Sequence, residues 1–389
     1  MRELEEYLAE LVKAQLEKRV ASDLPEGITV EQIMQIAQQN QMKYLLLGAL
    51  VRVENVSEEE KASLRPIIMH SIYRTALQVQ ELRELESAFE AAGIMNQPMK
   101  GAVMKFVYPS PEMREMGDID MLIEQQVADK AYEILQERGY TMVESIKHHD
   151  IFKKPPFLVV EAHRAMYDKT VDRNQYGYFK NFSRTTAKEG CTYTQVFGKE
   201  DFYVYMMSHM AKHFYQMGCG IRHLVDIYVY LNKYGNSMDR EYLDAELDKC
   251  GILTFTKRME ELASAWLEGK EKTQLQKETF AYMLNSGIYG KDENGIWNKF
   301  AEEKKSKKEV GRLKLKMWYF FPPLHYMSEY YSYLEEKPWL LPWAWFVRGV
   351  SGLFHKKGTY KRKMLHDIKG EQIQVMQMIY ADLDLKFKA

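Results

Sequence analysis

The sequence predicts an α+β fold, in which a small mixed β-sheet is embedded between N-terminal and C-terminal helical regions. Apolar residues recur at helical spacing before residue 94 and again after residue 198. Between these regions, short apolar segments follow the order strand, helix, strand, helix, strands. That order is typical of a small mixed sheet with helices packed on one side.

The first 93 residues contain three helical patterns. They cover residues 1–20, 30–52 and 63–92, and the third ends at Gly93, a residue suited to a helix C-cap. Nothing in these patterns indicates chemistry. We interpret this region as a helical lid or support.

The elements that follow have recognisable ends. A helix over Val127–Arg138 is stopped by Gly139, and strands are predicted at Tyr140–Ser145, His149–Lys153 and Phe157–His163. Later helices are predicted at Phe202–Gln216, Ile221–Tyr234, Asp239–Lys249, Thr254–Leu267, Gln274–Leu284 and Ile296–Lys307.

These patterns divide the chain into four predicted parts. They are an N-terminal helical region (1–93), an α/β core (94–198), a helical domain (199–310) and an aromatic-rich, helical C-terminal extension (311–389). A chain of 389 residues is long enough for two or three domains with sizeable cores.

Composition excludes several classes of protein. The 54 basic and 55 acidic side chains leave a formal charge of −1, which argues against a general nucleic-acid surface, although a local basic groove stays open. The three cysteines are far apart and lack metal-ligand spacing. The N-terminus lacks the apolar core of a secretory signal, and no run approaches the roughly 20 apolar residues of a membrane span. We therefore expect a cytoplasmic protein without a transmembrane segment.

The most informative segment is Met99–Glu124, with Asp118-Ile119-Asp120 at its centre. The tripeptide opens a short apolar strand, so Asp118 and Asp120 share one face of it. Two carboxylates side by side repel each other unless a cation lies between them. The pair therefore indicates a divalent metal site.

Two further features accompany this pair. Upstream, Gly101 follows Lys100 and allows close approach of the backbone to a ligand, and a helix beginning there would aim N–H groups at a phosphate. Downstream, the strand at Phe157–His163 carries Glu161 and His163, which face the same side because they are two residues apart.

The segment KGAVMKFVYPSPEMREMGDIDMLI resembles the motif of a bacterial family of uncharacterised nucleotidyltransferases within the DNA polymerase beta-like superfamily. In that family a Lys-Gly, a Tyr-Pro, an Arg and an Asp-x-Asp occur in this order. Ala102 departs from the superfamily pattern, which usually has Gly or Ser there, and the segment before Asp118 is longer than the pattern expects.

The resemblance implies an enzyme that moves a nucleoside monophosphate from a nucleoside triphosphate, such as ATP, to a hydroxyl acceptor and releases pyrophosphate. Asp118, Asp120 and Glu161 would be the catalytic residues and the ligands of Mg²⁺ or Mn²⁺, with Glu161 also a candidate general base. Lys100, Gly101 with Ala102, and Arg114 would bind the phosphates. His163 could orient Glu161 or touch the substrate, or could be a plain strand histidine.

Four more polar residues lie in the helical region. His209 and His213 are four residues apart and share a helix face, and Arg222 and Asp226 lie on the next helix. The histidine pair could ligate a metal, but polar packing or contact with base and phosphate agrees better with the resemblance. His209, His213 and Arg222 are therefore candidate nucleotide-binding residues.

The C-terminal extension is rich in aromatic residues and in proline, followed by lysines and arginines at 356–363. These rings either pack onto the helical domain as ordinary core or form a peripheral contact through residues 311–363 with a membrane face, an acidic partner or nucleic acid.

Three functional hypotheses follow. The first is the metal-dependent nucleotidyltransferase, whose acceptor could be a small molecule, a protein or an RNA end. The second is a catalytically degenerate module that binds nucleotide or a partner, which Ala102 and the long Val103–Gly117 segment keep open. The third is a scaffold whose working part is the C-terminal half.

Overall fold

The computed structural model describes residues 2–146, 148–168, 173–291, 317, 320–328, 331, 333–354 and 370–385. These residues contain sixteen α-helices and seven strands. Numbered in chain order, the first eight helices are α1 (Arg2–Leu16), α2 (Val30–Gln39), α3 (Lys43–Leu50), α4 (Glu58–Ala91), α5 (Gly101–Met104), α6 (Ala128–Glu137), α7 (Arg173–Tyr178) and α8 (Lys199–Gln216). Then come α9 (Arg222–Tyr234), α10 (Arg240–Lys249), α11 (Leu253–Leu267) and α12 (Gln274–Ser286), followed by helices at Leu324–Ser328, Tyr333–Glu336, Leu341–Phe354 and Gly370–Leu383.

Five strands form the main sheet in the order β1-β2-β5-β4-β3, and two form a small second sheet. The main-sheet strands are β1 (Asn96–Pro98), β2 (Ile119–Ile123), β3 (Thr141–Ile146), β4 (His149–Lys154) and β5 (Leu158–His163). The second sheet pairs β6 (Thr185–Ala187) with β7 (Gln195–Phe197). Strands β2 and β5 are parallel, and the other main-sheet pairs are antiparallel. The mixed sheet surrounded by helices confirms the predicted α+β class.

The two faces of the main sheet lie in different environments. Ile119, Met121 and Ile123 of β2 pack with α4 and α6 in one apolar core, as do the alternate residues of β5. Strand residues alternate between faces, so Asp120 and Glu161 point to the opposite side. That side carries the candidate functional site.

A second and larger core joins the N-terminal helices to the helices after residue 198. It includes Leu8 and Leu11 of α1 and Leu262 of α11, and the Trp266 indole of α11 donates to the Glu5 carbonyl of α1. The N-terminal helices therefore support the helical domain directly. The four-part domain division stays a prediction.

Helix ends follow local sequence signals. Ser57 caps α4 in a capping box with Glu60, so α4 begins at Glu58, five residues before the predicted Ser63. The predicted helix over residues 30–52 is two helices, because the chain turns at Gln41, whose φ is +50°. Gly93 has a φ of +69° immediately after α4, as a C-terminal glycine should. The other predicted elements of the described chain agree with the structure to within a few residues at their ends.

In the C-terminal extension the aromatic residues are divided between the interior and the surface. Trp345 donates from its indole to the Pro322 carbonyl, whereas Trp339, Trp343 and Phe346 are 74%, 58% and 61% exposed. The predicted helix Ile296–Lys307 and the basic residues at 356–363 lie outside the described residues. A peripheral contact through 311–363 stays a prediction. Among the described helices, none combines the length and the apolar character needed to cross a bilayer.

Candidate functional site

Two carboxylates meet at the middle of the main sheet. In the parallel pairing of β2 with β5, Asp120 lies directly opposite Glu161. Both side chains point away from the core under α4 and α6, and both line a cleft of about 390 Å³ between the sheet and the helical region. Asp118, two residues before Asp120, lines the same cleft. The three carboxylates of the predicted site therefore come together from two separate segments.

Lys100 reaches into this group. Its Nζ lies 2.6 Å from Asp120 Oδ1 and 3.9 Å from Glu161 Oε2. Burial alone would lower the pKa of Lys100, but the neighbouring acidic groups, with Asp120 the largest contributor, together outweigh it and the pKa is raised. Lys100 has a φ of +48° at the start of α5, a backbone conformation that costs energy for a residue with a side chain. The fold holds this cation in place despite that cost.

His163 contacts the carboxylates of both Asp120 and Glu161. Its Nε2 is 2.9 Å from Asp120 Oδ1 and 3.3 Å from Glu161 Oε2. Burial tends to raise the pKa of Glu161, but the hydrogen bond from His163 and the charge of Lys100 outweigh it and lower the pKa. Glu161 is therefore ionised at neutral pH.

The pKa of Asp118 shifts in the opposite direction to that of Glu161. Burial, followed by the negative charges of Asp120 and Glu161, raises the pKa of Asp118 to about 7. Lys100 contacts Asp120 and Glu161, and its one positive charge does not balance three carboxylates.

This donor set fits a divalent cation. Asp120, Glu161 and His163 each present a ligand atom within 4.8 Å of the other two. Lys100 and His163 both contact Asp120 through Oδ1, which leaves Oδ2 for another partner. Oxygen donors with excess negative charge are what Mg²⁺ and Mn²⁺ prefer.

Arginines from two elements form the other wall of the cleft. Arg114 donates from Nε to Asp226 Oδ1 at 2.7 Å, and the Tyr108 hydroxyl donates to the same oxygen at 2.8 Å. Arg222 donates from Nη1 to Gln41 Oε1 at 2.6 Å and to the Glu115 carbonyl at 3.0 Å. Burial, with a contribution from Arg114, lowers the pKa of Arg222 to about 10, so it remains charged at neutral pH. Since Asp226 balances only one of the two guanidinium groups, this wall keeps a net positive charge.

The histidine pair of α8 lies at the same cleft. His209 and His213 share a helix face as predicted, and their Nε2 atoms are 3.0 Å apart. Burial lowers the pKa of His213 to about 3 and that of His209 well below its usual value, so both rings are neutral. Among the described residues, no third ligand completes a metal cluster with this pair.

Two predicted phosphate contacts, Gly101 and Ala102, differ in their surroundings. Gly101 lines the cleft, and a Cβ built there would lie 2.9 Å from Met116 Cβ. Close packing therefore requires this glycine. Ala102 does not line the cleft. Its side chain is buried in the core under the sheet, and its N–H donates to the Met99 carbonyl.

Sequence reasoning missed several residues at the cleft. His148 and His149 lie beside His163, and Gln41 comes from the turn between α2 and α3. Tyr289 follows α12 and accepts a hydrogen bond from Gln41. A His-His pair at a strand start was a visible signal, whereas nothing in the sequence marked Gln41 or Tyr289. The other predicted site residues all line the cleft.

Comparison with known proteins gives one match. The family model described as "Uncharacterised nucleotidyltransferase" matches residues 26–268, which is more than half of the chain and includes every residue of the cleft up to Asp226. No curated protein and no solved structure matches the chain. The matched segment contains the main sheet and the helices α8 and α9 that face it. The chain belongs to this family of uncharacterised nucleotidyltransferases.

Proposed function

We propose that this chain transfers a nucleoside monophosphate from a nucleoside triphosphate to a hydroxyl acceptor, with Mg²⁺ or Mn²⁺ bound at Asp118, Asp120 and Glu161. Family membership implies a nucleotide substrate. The single observation that carries the proposal is the pairing of Asp120 with Glu161 on the cleft face, with Asp118 immediately before β2.

One wall of the cleft is negatively charged and the facing wall is positively charged. This arrangement suits a triphosphate with bound cations. The carboxylates lie on the sheet, and Arg114 and Arg222 lie on the facing wall. Phosphoryl transfer needs charge neutralisation and alignment more than covalent participation by the protein. Bound divalent cations would neutralise the developing charge and align the attacking and leaving oxygens.

In the reaction, the acceptor oxygen forms a bond to the α-phosphorus. The bond from that phosphorus to the oxygen that bridges the α- and β-phosphates breaks. Pyrophosphate leaves with the electron pair, and the hydroxyl proton passes to a base. Lys100, already beside Asp120, is placed to contact a phosphate oxygen. The lowered pKa of Glu161 suits a ligand and makes it a weak general base, so a ligand role is the better assignment.

The test is release of pyrophosphate from nucleoside triphosphates with magnesium or manganese, across a panel of small-molecule, protein and RNA acceptors. The double variant Asp118→Asn with Asp120→Asn should lose both turnover and metal-dependent nucleotide binding. Full activity in that double variant would overturn the proposal.

A second candidate is a module that binds nucleotide without turnover. The contact of 2.6 Å between Lys100 Nζ and Asp120 favours it, because an ammonium group then occupies part of the cation site. Calorimetry that detects nucleotide binding, with no product from any acceptor tested, would support this candidate. Magnesium-dependent turnover by the wild-type chain would remove it.

A further inference from the structure

Three histidines meet at the edge of the cleft, next to the carboxylates. His163 ends β5, His149 begins β4, and His148 lies in the turn before it. In the antiparallel pairing of β4 with β5, His149 lies directly opposite His163, and the two rings stack with centroids 4.8 Å apart. The His148 ring centroid is 4.7 Å from that of His149.

Backbone contacts hold this arrangement together. The Arg164 N–H, immediately after β5, donates to the His148 carbonyl at 2.8 Å. The Arg164 side chain donates from Nη2 to the Ile146 carbonyl at 2.8 Å. The turn that carries His148 is therefore tied to the strand that carries His163.

Each ring presents a nitrogen within 4.8 Å of the other two, which is a spacing that small side-chain rotations can close around one ion. Moreover, the Nδ1 atoms of His148, His149 and His163 are all buried without a hydrogen-bond partner. Buried polar atoms without partners are uncommon, and three in one cluster call for a common partner.

The tautomer of His163 agrees with metal binding. Because Nε2 faces Asp120 and the ionised Glu161, it carries the proton and donates it, which leaves the lone pair on Nδ1. A histidine that donates one ring N–H to a carboxylate and offers the other nitrogen is the usual environment of a zinc ligand.

We propose that His148, His149 and His163 form a separate binding site for a nitrogen-preferring divalent cation of the zinc type. The fourth position belongs to water, since three histidine ligands leave one position of a tetrahedral ion open. This site differs in chemistry from the proposed magnesium site, because imidazole nitrogen selects Zn²⁺ or Co²⁺ over Mg²⁺. Its occupancy would fix His163 as the donor to Asp120.

The test uses Co²⁺ alone as the probe, added to the full-length chain in the presence of excess Mg²⁺. One equivalent of Co²⁺ should produce the visible absorption bands of a tetrahedral site. His148→Ala should weaken Co²⁺ binding by more than ~10-fold. The exposed His70 on α4 supplies the matched control, and His70→Ala should bind Co²⁺ as the wild type does. Unchanged Co²⁺ affinity in His148→Ala, or no tetrahedral bands in the wild type, would overturn the proposal.

A second measurement needs no variant. In wild-type chain labelled with ¹⁵N-histidine, Zn²⁺ should shift the ring nitrogens of His148, His149 and His163 and leave those of His70 unchanged; shifts confined to other histidines would refute the site. The inference is also separable from the nucleotidyltransferase proposal. Asp118→Asn should abolish magnesium-dependent turnover and leave the Co²⁺ bands in place, so failure of one proposal does not imply failure of the other.

Discussion

Asp120 and Glu161 lie directly opposite each other on the parallel strands β2 and β5, with Lys100 Nζ in contact with Asp120 at 2.6 Å. The pairing depends on register, since a shift of one residue would turn Glu161 into the core under α4 and α6.

Glu161→Gln should lower magnesium-dependent turnover by at least ~10², because a metal ion's electrostatic stabilisation is worth several kcal/mol and a neutral amide is a poorer ligand. Steady-state pyrophosphate release measures the effect. Glu144→Gln, at an exposed position of β3 in the same sheet, is the control and should keep full turnover. Wild-type rates in Glu161→Gln would contradict the assignment of this carboxylate.

Gly101→Ala should destabilise the protein by about 1–3 kcal/mol, because the new Cβ would meet Met116 Cβ at 2.9 Å. Since Gly101 begins the helix next to Lys100, nucleotide binding should weaken as well. Thermal unfolding and nucleotide titration measure the two effects.

Gly177→Ala in α7 is the matched control for Gly101→Ala, since a Cβ there meets nothing within 4 Å. It should leave stability unchanged or raise it slightly. Equal stability of the two alanine variants would show that the packing at Gly101 is not restrictive.

Asp226→Asn should destabilise the protein by about 3–5 kcal/mol, because it leaves the buried Arg114 without its carboxylate partner. Denaturant unfolding near pH 7 measures the loss. Asp248→Asn, at an exposed position near the end of α10, should have little effect. An equally small effect at Asp226 would mean that the Arg114 guanidinium is otherwise compensated.

The ion pair between Arg114 and Asp226 also predicts that the stability of the protein depends on pH. Burial tends to raise the pKa of Asp226, but Arg114 outweighs it and lowers the pKa below its ordinary 3.8. The stabilisation is therefore complete above about pH 4 and is lost as the pH falls through the lowered value. The stability difference between wild type and Asp226→Asn should shrink in that acidic range.

Lys105→Met should stabilise the protein at pH 6. Lys105 is 0% exposed, and its Nζ has no hydrogen-bond partner. Burial, followed by repulsion from Arg114, lowers the pKa of Lys105 from 10.5 to about 7. Methionine has a similar length and carries no charge. The gain should be on the order of 2–4 kcal/mol.

The stability gain from Lys105→Met should decrease as the pH rises. Below pH 7, Lys105 is charged in both states, and the full cost of burying the charge is present. As the pH rises from 7 towards 10.5, only the unfolded state holds the proton, so wild-type stability rises and the advantage of Lys105→Met disappears. Lys153→Met, at an exposed position of β4, is the control. A gain at Lys105 that is constant from pH 6 to pH 10 would contradict a buried charge.

By itself, the sequence determined the α+β class, most of the helices and strands before residue 291 except α7, β6 and β7, and the sharing of one strand face by Glu161 and His163. These features depend on local periodicity, in which residues two apart on a strand share a face and residues four apart on a helix share a face. Only the tertiary structure decided that Tyr108 and Arg114 meet Asp226, more than 100 residues later in the chain. It also decided that Ala102 faces the core and that His148 and His149 join His163. Such contacts depend on strand register and on helix packing across the two cores, which no local pattern of residues encodes.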